Sequence, residues 1–308
     1  MNSHHVRPVL VVGATGAVGG AVTQALLDTG APVRVLVRHP DRVTDLPDSV
    51  ERAQGDLHDV DALRRALTGV RSAFYVSPHE VDEVELAQNF VTACEQVGVR
   101  LVFAGVHVHD RNPLKQVFYR LLFGLWLRHY RGKLEIAKAI ERSNTKAVLL
   151  VPSNFMQNDD LFVDDIAAGE FCQPLAGVNR VDLRDVAQVA ISALLDDEFP
   201  SGAYGLVGPE SLSGAQCAAV WERELGREVR YTGGDESAWK AAFARHLHGR
   251  KLTDWEATFG ALSKLKVTTG AADLAETRRL LRREPRRYDE YVHDQAAARQ
   301  LEARTPNT

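Results

Sequence analysis

Apolar residues in the first half of the chain fall into short runs separated by stretches with helical spacing. The predicted strands are Val9–Val12, Val33–Val37 and residues 51–53, 73–76 and 99–104, and the predicted helices are residues 19–28, 60–67 and 80–97. Parallel neighbours need a long crossover, so this alternation predicts a doubly wound parallel sheet, an α/β fold with helices on both faces.

The second half of the chain has a different pattern. A sixth strand is predicted at residues 146–151, and the remainder is mainly helical, with short strands near residues 181–183, 203–207 and 228–231. Trp239, Phe243, Trp255 and Phe259 lie in the predicted C-terminal helices, where we expect them to form a small second core rather than to stack on a ligand. The pattern predicts two parts, 1–158 and a mainly helical lobe, 159–308, interleaved with the sheet.

A glycine-rich turn follows the first strand. Gly13, Gly16 and Gly19 are spaced Gly-x-x-Gly-x-x-Gly, with Thr15 inside the turn and Val18 at the start of the helical pattern. Gly13 permits a sharp turn, Gly16 lets a pyrophosphate approach bare backbone, and Gly19 lets the helix pack close to the strand. A strand, a glycine turn and a helix N-terminus together predict a Rossmann-like, dinucleotide-binding domain over residues 1–158.

The end of the second strand favours NADPH over NADH. Sites selective for NADH place a carboxylate there, whereas this strand ends in Arg38, a fork of permanent donors for a 2′-phosphate, with His39 and Arg42 nearby. After the third strand, Asp56 can accept from the adenine amino group while Leu57 packs on the ring. Asp56 can equally cap the helix that begins near residue 58.

The amino-acid composition excludes few classes of protein. The 308 residues are 45% hydrophobic and 25% charged, with a formal net charge of −4, so nothing global points to nucleic acid. The basic run at residues 278–287 is interrupted by Glu284 and Pro285 and is interpreted as a solvated face. Three cysteines without metal-ligand spacing predict no metal site and a reducing, cytoplasmic compartment.

Several motifs together resemble the NmrA-like family, which belongs to the atypical short-chain dehydrogenases/reductases. They are the glycine turn, Arg38, Gly55-Asp56-Leu57, the segment PSNFMQN at residues 152–158 and the segment VDLRD at residues 181–185. The family includes quinone reductases and azoreductase-like proteins as well as cofactor-sensing regulators. The resemblance implies that the loop with Asn154 and Phe155 passes the nicotinamide, and that Ser77 lies among the cofactor contacts.

The catalytic pattern of the wider group is incomplete in this chain. Tyr-dependent members use a Tyr-x-x-x-Lys pair, in which the tyrosine protonates the substrate and the lysine holds the ribose. Lys133 matches the lysine, but His129 stands four residues before it. We therefore expect Lys133 to contact ribose or substrate, with His129, Tyr130 or His107 as candidate proton donors. A quinone would need little acid catalysis, because its product is a stabilised, phenolate-type anion.

Residues 113–127 (PLKQVFYRLLFGLWL) form the most apolar stretch in the chain. It is too short and too often interrupted by charge for a membrane span, which needs about 20 apolar residues. We expect a core or subunit-interface helix, or else a wall or lid of a hydrophobic substrate site; docking on a membrane surface is the weakest of the three interpretations. Either of the first two favours a bulky apolar substrate or a homodimer.

The sequence therefore predicts an NADPH-dependent reductase that transfers hydride to a hydrophobic quinone-like, enone or ketone substrate. A chain rich in Ala and Arg suggests a bacterial source, for which an aromatic polyketide would be a natural substrate. The alternative is a non-catalytic regulator that senses NADP(H), which the missing tyrosine favours and the retained Lys133 disfavours. An epimerase or imine reductase also remains open.

Overall fold

The computed structural model describes residues 7–78, 80–106 and 131–299. The chain forms two compact units, and it passes from the first to the second, back, and across again. The units are Met1–Pro152 with Leu183–Gly205, and Ser153–Asp182 with Leu206–Thr308. The division into functional domains 1–158 and 159–308 stays a prediction.

The first unit contains a seven-stranded sheet in the order β10-β6-β5-β4-β1-β2-β3. Its strands are β1 (Val9–Val12), β2 (Val33–Val37), β3 (Glu51–Gln54), β4 (Ser72–Val76), β5 (Arg100–Ala104), β6 (Val148–Pro152) and β10 (Gly202–Leu206). From β6 to β3 every neighbouring pair is parallel. The order reverses beside β1, as in doubly wound dinucleotide-binding sheets, which confirms the predicted fold class.

Helices pack on this sheet in two groups. Their bounds are α1 (Ala17–Asp28), α2 (Val60–Leu67), α3 (Glu83–Val97), α4 (Arg131–Arg142) and α6 (Leu183–Leu195). Helix α1 packs on α6, while α3 packs between α2 and α4. Successive strand residues point to opposite faces, so Tyr75 and Phe103 join Phe90 and Ile136 in one buried cluster under α2, α3 and α4.

The second unit has small sheets and several helices around its own core. The strands are β7 (Asn154–Phe155), β8 (Glu170–Phe171), β9 (Ala176–Val181), β11 (Ser211–Ser213) and β12 (Arg230–Tyr231). The helices are α5 (Val163–Ala167), α7 (Gly214–Leu225), α8 (Glu236–His246), α9 (Gly249–Leu262), α10 (Ala271–Leu281) and α11 (Tyr288–Ala298). Trp239, Phe243 and Phe259 are buried together, and Trp255 packs against them. The predicted second core is confirmed.

Several predicted boundaries are wrong, among them those near β6, α3 and β9. Strand β6 begins at Val148, because Lys146 has a φ of 49° and cannot continue a strand. Helix α3 begins at Glu83 after Asp82, not at residue 80. The strand expected at residues 181–183 is the end of β9, and helix α6 starts directly at Leu183.

None of the helices in the described ranges combines the length and apolar character that a membrane crossing requires. The apolar stretch at residues 113–127 lies outside the described residues, so the expectations for it stay predictions.

Candidate functional site

The turn between β1 and α1 has no room for side chains at two of its glycines. Gly13 has a φ of +78°, and a Cβ there would lie 2.8 Å from Val76 Cγ1. A Cβ at Gly19 would lie 2.2 Å from the carbonyl oxygen of Gly13. The N–H of Gly16 donates to that same oxygen, at 2.9 Å. The sharp turn and the close helix approach that the glycine spacing predicts are both present.

The N-terminus of α1 is open to a ligand. The helix begins at Ala17, and Gly16, which precedes it, has no side chain to cap the first turn. Thr15 and Gly16 are exposed, and Val18 is half-buried. The first backbone N–H groups of a helix lack intrahelical acceptors and carry the positive end of the helix dipole. This end of α1 can therefore accept an anion such as a pyrophosphate.

Arg38 extends from the end of β2 into solvent. Its carbonyl accepts from Gln54 Nε2, at 3.4 Å, but its guanidinium makes no hydrogen bond or ion pair with any residue in the described ranges. His39 beside it is exposed, and Arg42 ends a short 3₁₀ turn, Pro40–Arg42. An exposed guanidinium at a strand end is available to a phosphate group.

Asp56 and Leu57 follow β3, as expected, but Asp56 does not cap the next helix. Asp59 does so by accepting from Ala62 N at 3.0 Å. The capping interpretation of Asp56 is wrong, because the helix starts at Val60, one turn later than that role requires. Leu57 is half-buried and packs against the core of the first unit.

His58 joins two loops at the same edge of the sheet. Its Nδ1 lies 2.7 Å from Asp56 Oδ1 and its Nε2 lies 2.6 Å from Asp82 Oδ2. The Asp82 carboxylate, and then that of Asp56, raise the pKa of His58. The backbone N–H of His58, and then its imidazole, lower the pKa of Asp56. The loops after β3 and β4 are thus connected by an exposed, charge-assisted pair of hydrogen bonds.

Lys133 is held by a glutamate that the sequence analysis missed. Lys133 Nζ lies 2.9 Å from Glu83 Oε2. The hydroxyl of Ser77 lies 3.2 Å from the same oxygen and 3.2 Å from the carbonyl oxygen of Pro78, so these two acceptors share its one hydrogen. The side chains of Glu83 and Lys133 are only 2% and 14% exposed. Fifty positions separate the two residues, and a glutamate in the first turn of a helix is ordinarily explained by the helix dipole. No sequence signal distinguished it.

Asn154 and Phe155 form strand β7 of the second unit. The side-chain oxygen of Asn154 is buried and has no hydrogen-bond partner among the described residues, and the carbonyl of Phe155 accepts from Arg180 Nη2 at 2.9 Å. An acceptor left in this way could take a hydrogen bond from a ligand. The expected contact of these residues with a nicotinamide stays a prediction.

A buried ion pair lies beneath that strand. Asp159 and Arg180 are both 0% exposed, with Arg180 Nη2 at 2.8 Å from Asp159 Oδ1. The same carboxylate accepts from Gln173 at 2.6 Å, from Trp221 at 3.3 Å and from the hydroxyl of Tyr288. Burial, and then the Asp159 charge, raise the pKa of Tyr288 far above its ordinary value. This network keeps the strand with Phe155 attached to the core.

The three candidate proton donors are not among the residues that the structure describes. His107, His129 and Tyr130 lie outside the described residues, so their proton-donor role stays a prediction. Within the described parts of the chain, no cluster of His, Cys, Asp and Glu side chains could hold a metal ion. Three arginines of the basic run are paired with carboxylates: Arg278 with Glu284, Arg279 with Glu276 and Arg287 with Asp289.

A doubly wound sheet with a glycine-rich turn after its first strand defines the first unit as a Rossmann-like α/β domain. The chain belongs to the NmrA-like family, whose model matches residues 6–292.

Two relatives and one solved structure illustrate the likeness. The NAD(P)H azoreductase of Xenophilus azovorans is 33% identical over 229 residues, which are 72% of this chain and 76% of that protein. The (4-alkanoyl-5-oxo-2,5-dihydrofuran-3-yl)methyl phosphate reductase of Streptomyces griseus is 34% identical over 228 residues, with the same coverage. An NADPH-dependent quinone oxidoreductase from Escherichia coli, complexed with NADPH, superimposes with a TM-score of 0.72 at 21% identity. That alignment covers 93% of this chain and 99% of the other, and it shows a shared fold.

Proposed function

We propose that this protein is an NADPH-dependent reductase that transfers hydride to a hydrophobic carbonyl compound, quinone-like or an enone. Both relatives at 33% and 34% identity are named as reductases, and one of them as using NAD(P)H. The observation that carries the choice of NADPH is Arg38. Its exposed, unpaired guanidinium stands where a site for NADH would have a carboxylate.

The residues of the first unit fit such a cofactor. The glycine turn leaves no Cβ between backbone and ligand, and the uncapped start of α1 offers N–H groups to a pyrophosphate. The side chains that would hold the other parts are Arg38 for the 2′-phosphate, Asp56 and Leu57 for the adenine, and Ser77 and Lys133 for the nicotinamide side. When bound, NADPH supplies the hydride.

The protein's own part in the reaction is positioning more than acid catalysis. Lys133 would hold the ribose, and the surrounding side chains would exclude water and keep the reacting groups at near-attack distance. A quinone needs little proton donation, because the anion formed resembles a phenolate, whose conjugate acid has a pKa of about 10. His107, His129 and Tyr130 remain the candidate donors for a substrate that needs one.

NADPH oxidation by the purified protein against a panel of quinones and polycyclic enones, with NADH in parallel, tests the activity. We expect turnover that prefers NADPH. Tight binding of NADPH without turnover on any member of the panel would favour the cofactor-sensing alternative, and failure to bind NADPH at all would contradict the proposal.

The 2′-phosphate assignment is tested by Arg38→Asp, with Arg142→Asp as the control. Arg142 is an exposed arginine at the end of α4, in the same unit. A charged hydrogen-bond pair to phosphate contributes about 1.5–3 kcal/mol, so we expect NADPH affinity to fall by about 10- to 100-fold in Arg38→Asp. NADH affinity should not fall, because a carboxylate at this strand end is what sites selective for NADH carry. Equal losses for the two cofactors would contradict the assignment.

A further inference from the structure

Glu83 is a buried carboxylate in the first turn of α3. It is 1% exposed, and its Oε2 accepts hydrogen bonds from the ammonium of Lys133 and from the hydroxyl of Ser77. A buried charge is expensive unless it is paired, and a buried pair usually adds little stability compared with apolar residues of similar size. Stability alone therefore does not account for this arrangement.

The first turn of helix α4 lies close to Glu83 because it contains Gly132. A Cβ at Gly132 would lie 2.9 Å from Glu83 Oε1 and 3.3 Å from Val84 Cγ2. A side chain at this position would push the first turn of α4 away from the carboxylate. The glycine thus allows its neighbour Lys133 to reach Glu83 with a side chain that is mostly withdrawn from solvent.

The ammonium of Lys133 is also connected to the glycine turn through β4. Ser77 directly follows Val76, the last residue of β4, and Val76 Cγ1 is the atom that a Cβ at Gly13 would meet. The same carboxylate oxygen therefore links Lys133 to the strand end that borders the glycine turn. A free lysine samples many rotamers, whereas this one is held at the edge where a dinucleotide would pass.

We propose that Glu83 is a positioning residue that fixes Lys133 for the nicotinamide ribose, with Ser77 as the second group on the same carboxylate. This inference rests on the proposed function, since it requires a bound NADPH. Glu83 acts through Lys133 and does not itself touch the cofactor.

The test compares the affinities of two ligands in Glu83→Gln and Lys133→Met. NADPH contains the nicotinamide ribose, whereas adenosine 2′,5′-bisphosphate contains only the adenine side of the cofactor. Glu85→Gln is the control, because Glu85 is exposed in the same helical turn. We expect Glu83→Gln and Lys133→Met each to weaken NADPH binding by about tenfold, as for the loss of a hydrogen bond to a charged group.

Binding of adenosine 2′,5′-bisphosphate should remain within about twofold of the unmodified protein in both variants. The double variant should be no worse than Lys133→Met alone, because both changes remove the same contact. A merely structural role for Glu83 would weaken both ligands in parallel.

Three outcomes would overturn the inference. They are unchanged NADPH affinity in Glu83→Gln, a parallel loss of both ligands, and loss of the folded state in Glu83→Gln while Lys133→Met still folds. In these cases the unmodified protein binds NADPH and the proposed function stands. If the unmodified protein does not bind NADPH, the proposed function fails together with this inference.

Discussion

Replacing Asp159 by asparagine exchanges one carboxylate oxygen for an NH₂ group in the core of the second unit. The carboxylate is fully buried and accepts from five donor groups. Oδ1 accepts from Gln173 Nε2 and from Arg180 Nη2, and Oδ2 accepts from Arg180 Nη1, Trp221 Nε1 and the hydroxyl of Tyr288. In either orientation of the amide, its NH₂ group would face hydrogen-bond donors at the position of Oδ1 or of Oδ2.

The number of lost acceptors sets the magnitude. If the NH₂ group takes the place of Oδ1, Gln173 Nε2 loses its acceptor, whereas Arg180 Nη2 keeps the carbonyl oxygens of Phe155 and Met156. If it replaces Oδ2, the Tyr288 hydroxyl loses its acceptor and Arg180 Nη1 keeps only the weak acceptor Cys217 Sγ, whereas Trp221 Nε1 keeps the Tyr288 oxygen at 3.0 Å. Each unsatisfied buried group costs about 1–3 kcal/mol. The Arg180 guanidinium, 0% exposed, would also lose its counter-charge, and breaking a buried ion pair costs about 3–5 kcal/mol. We expect Asp159→Asn to lower the free energy of unfolding of this unit by about 3–5 kcal/mol.

Urea unfolding followed by tryptophan fluorescence measures this loss. Trp221, Trp239 and Trp255 all belong to the second unit, so three of the four tryptophans in the chain report on it. Asp160→Asn is the matched control. Asp160 is partly exposed and accepts from Tyr291 at 2.8 Å, and an asparagine there keeps an acceptor.

The result that would refute this reasoning is a loss below about 1 kcal/mol in Asp159→Asn, which is the typical value of an exposed ion pair. Equal losses for Asp159→Asn and Asp160→Asn would also contradict it, since the two variants differ chiefly in burial and in the number of donors deprived. The double variant Asp159→Leu with Arg180→Met should recover part of the loss, because no buried charge then remains unpaired.

Two further predictions concern Gly19 of the glycine turn and the hydrogen bonds of His58 to Asp56 and Asp82. Gly19→Ala would place a Cβ 2.2 Å from a backbone oxygen of the turn, so we expect a lower melting temperature and weaker NADPH binding. Gly260→Ala, in a helix with free space around the new Cβ, should instead stabilise by about 0.5–1 kcal/mol, and a similar loss in both variants would contradict the steric argument. Because the pKa of His58 is raised in the folded protein, its contribution to stability is fully present below pH 6.5 and is lost as the pH rises through the higher, folded pKa. Because the pKa values of Asp56 and Asp82 are lowered in the folded protein, their contribution to stability is present above pH 3.8 and is lost as the pH falls through the lower, folded values. An NMR titration of the His58 ring should give a midpoint above pH 6.5, and a midpoint at or below pH 6.5 would contradict the two hydrogen bonds to Asp56 and Asp82.

The parallel sheet was predictable from the sequence because its central strands are buried on both faces. Such strands are continuous apolar runs, so β1 and β2 have the predicted bounds, and helix α2 matches as well. The two-residue strands β7, β8 and β12 were not predictable as strands with these bounds. A segment of that length carries no periodicity, and only its tertiary partners make it a strand.

The candidate site was predictable only where its residues adjoin a motif. Arg38 and Asp56 follow strands that the pattern identifies, and Gly13 belongs to the turn itself. Glu83 could not be found in this way, because it meets Lys133 from fifty positions away. Charged residues are ordinarily exposed, so a sequence offers no reason to expect one that is buried.

The order of the strands explains why these residues fit the parts of one extended ligand. Asp56 follows β3, Arg38 follows β2, Gly13 follows β1 and Ser77 follows β4, and these four strands are neighbours in the sheet in that order. Neighbouring strands lie about 4.8 Å apart, so the four strand ends span about 14 Å along one edge. The parts of the proposed cofactor have the same order: adenine, 2′-phosphate, pyrophosphate and nicotinamide ribose. Lys133 comes from outside this series, on α4, and it is Glu83 that brings its ammonium to the β4 end of the row. That is why a carboxylate buried beneath the edge, and not a further residue of the glycine motif, is the group on which the nicotinamide end of the site would depend.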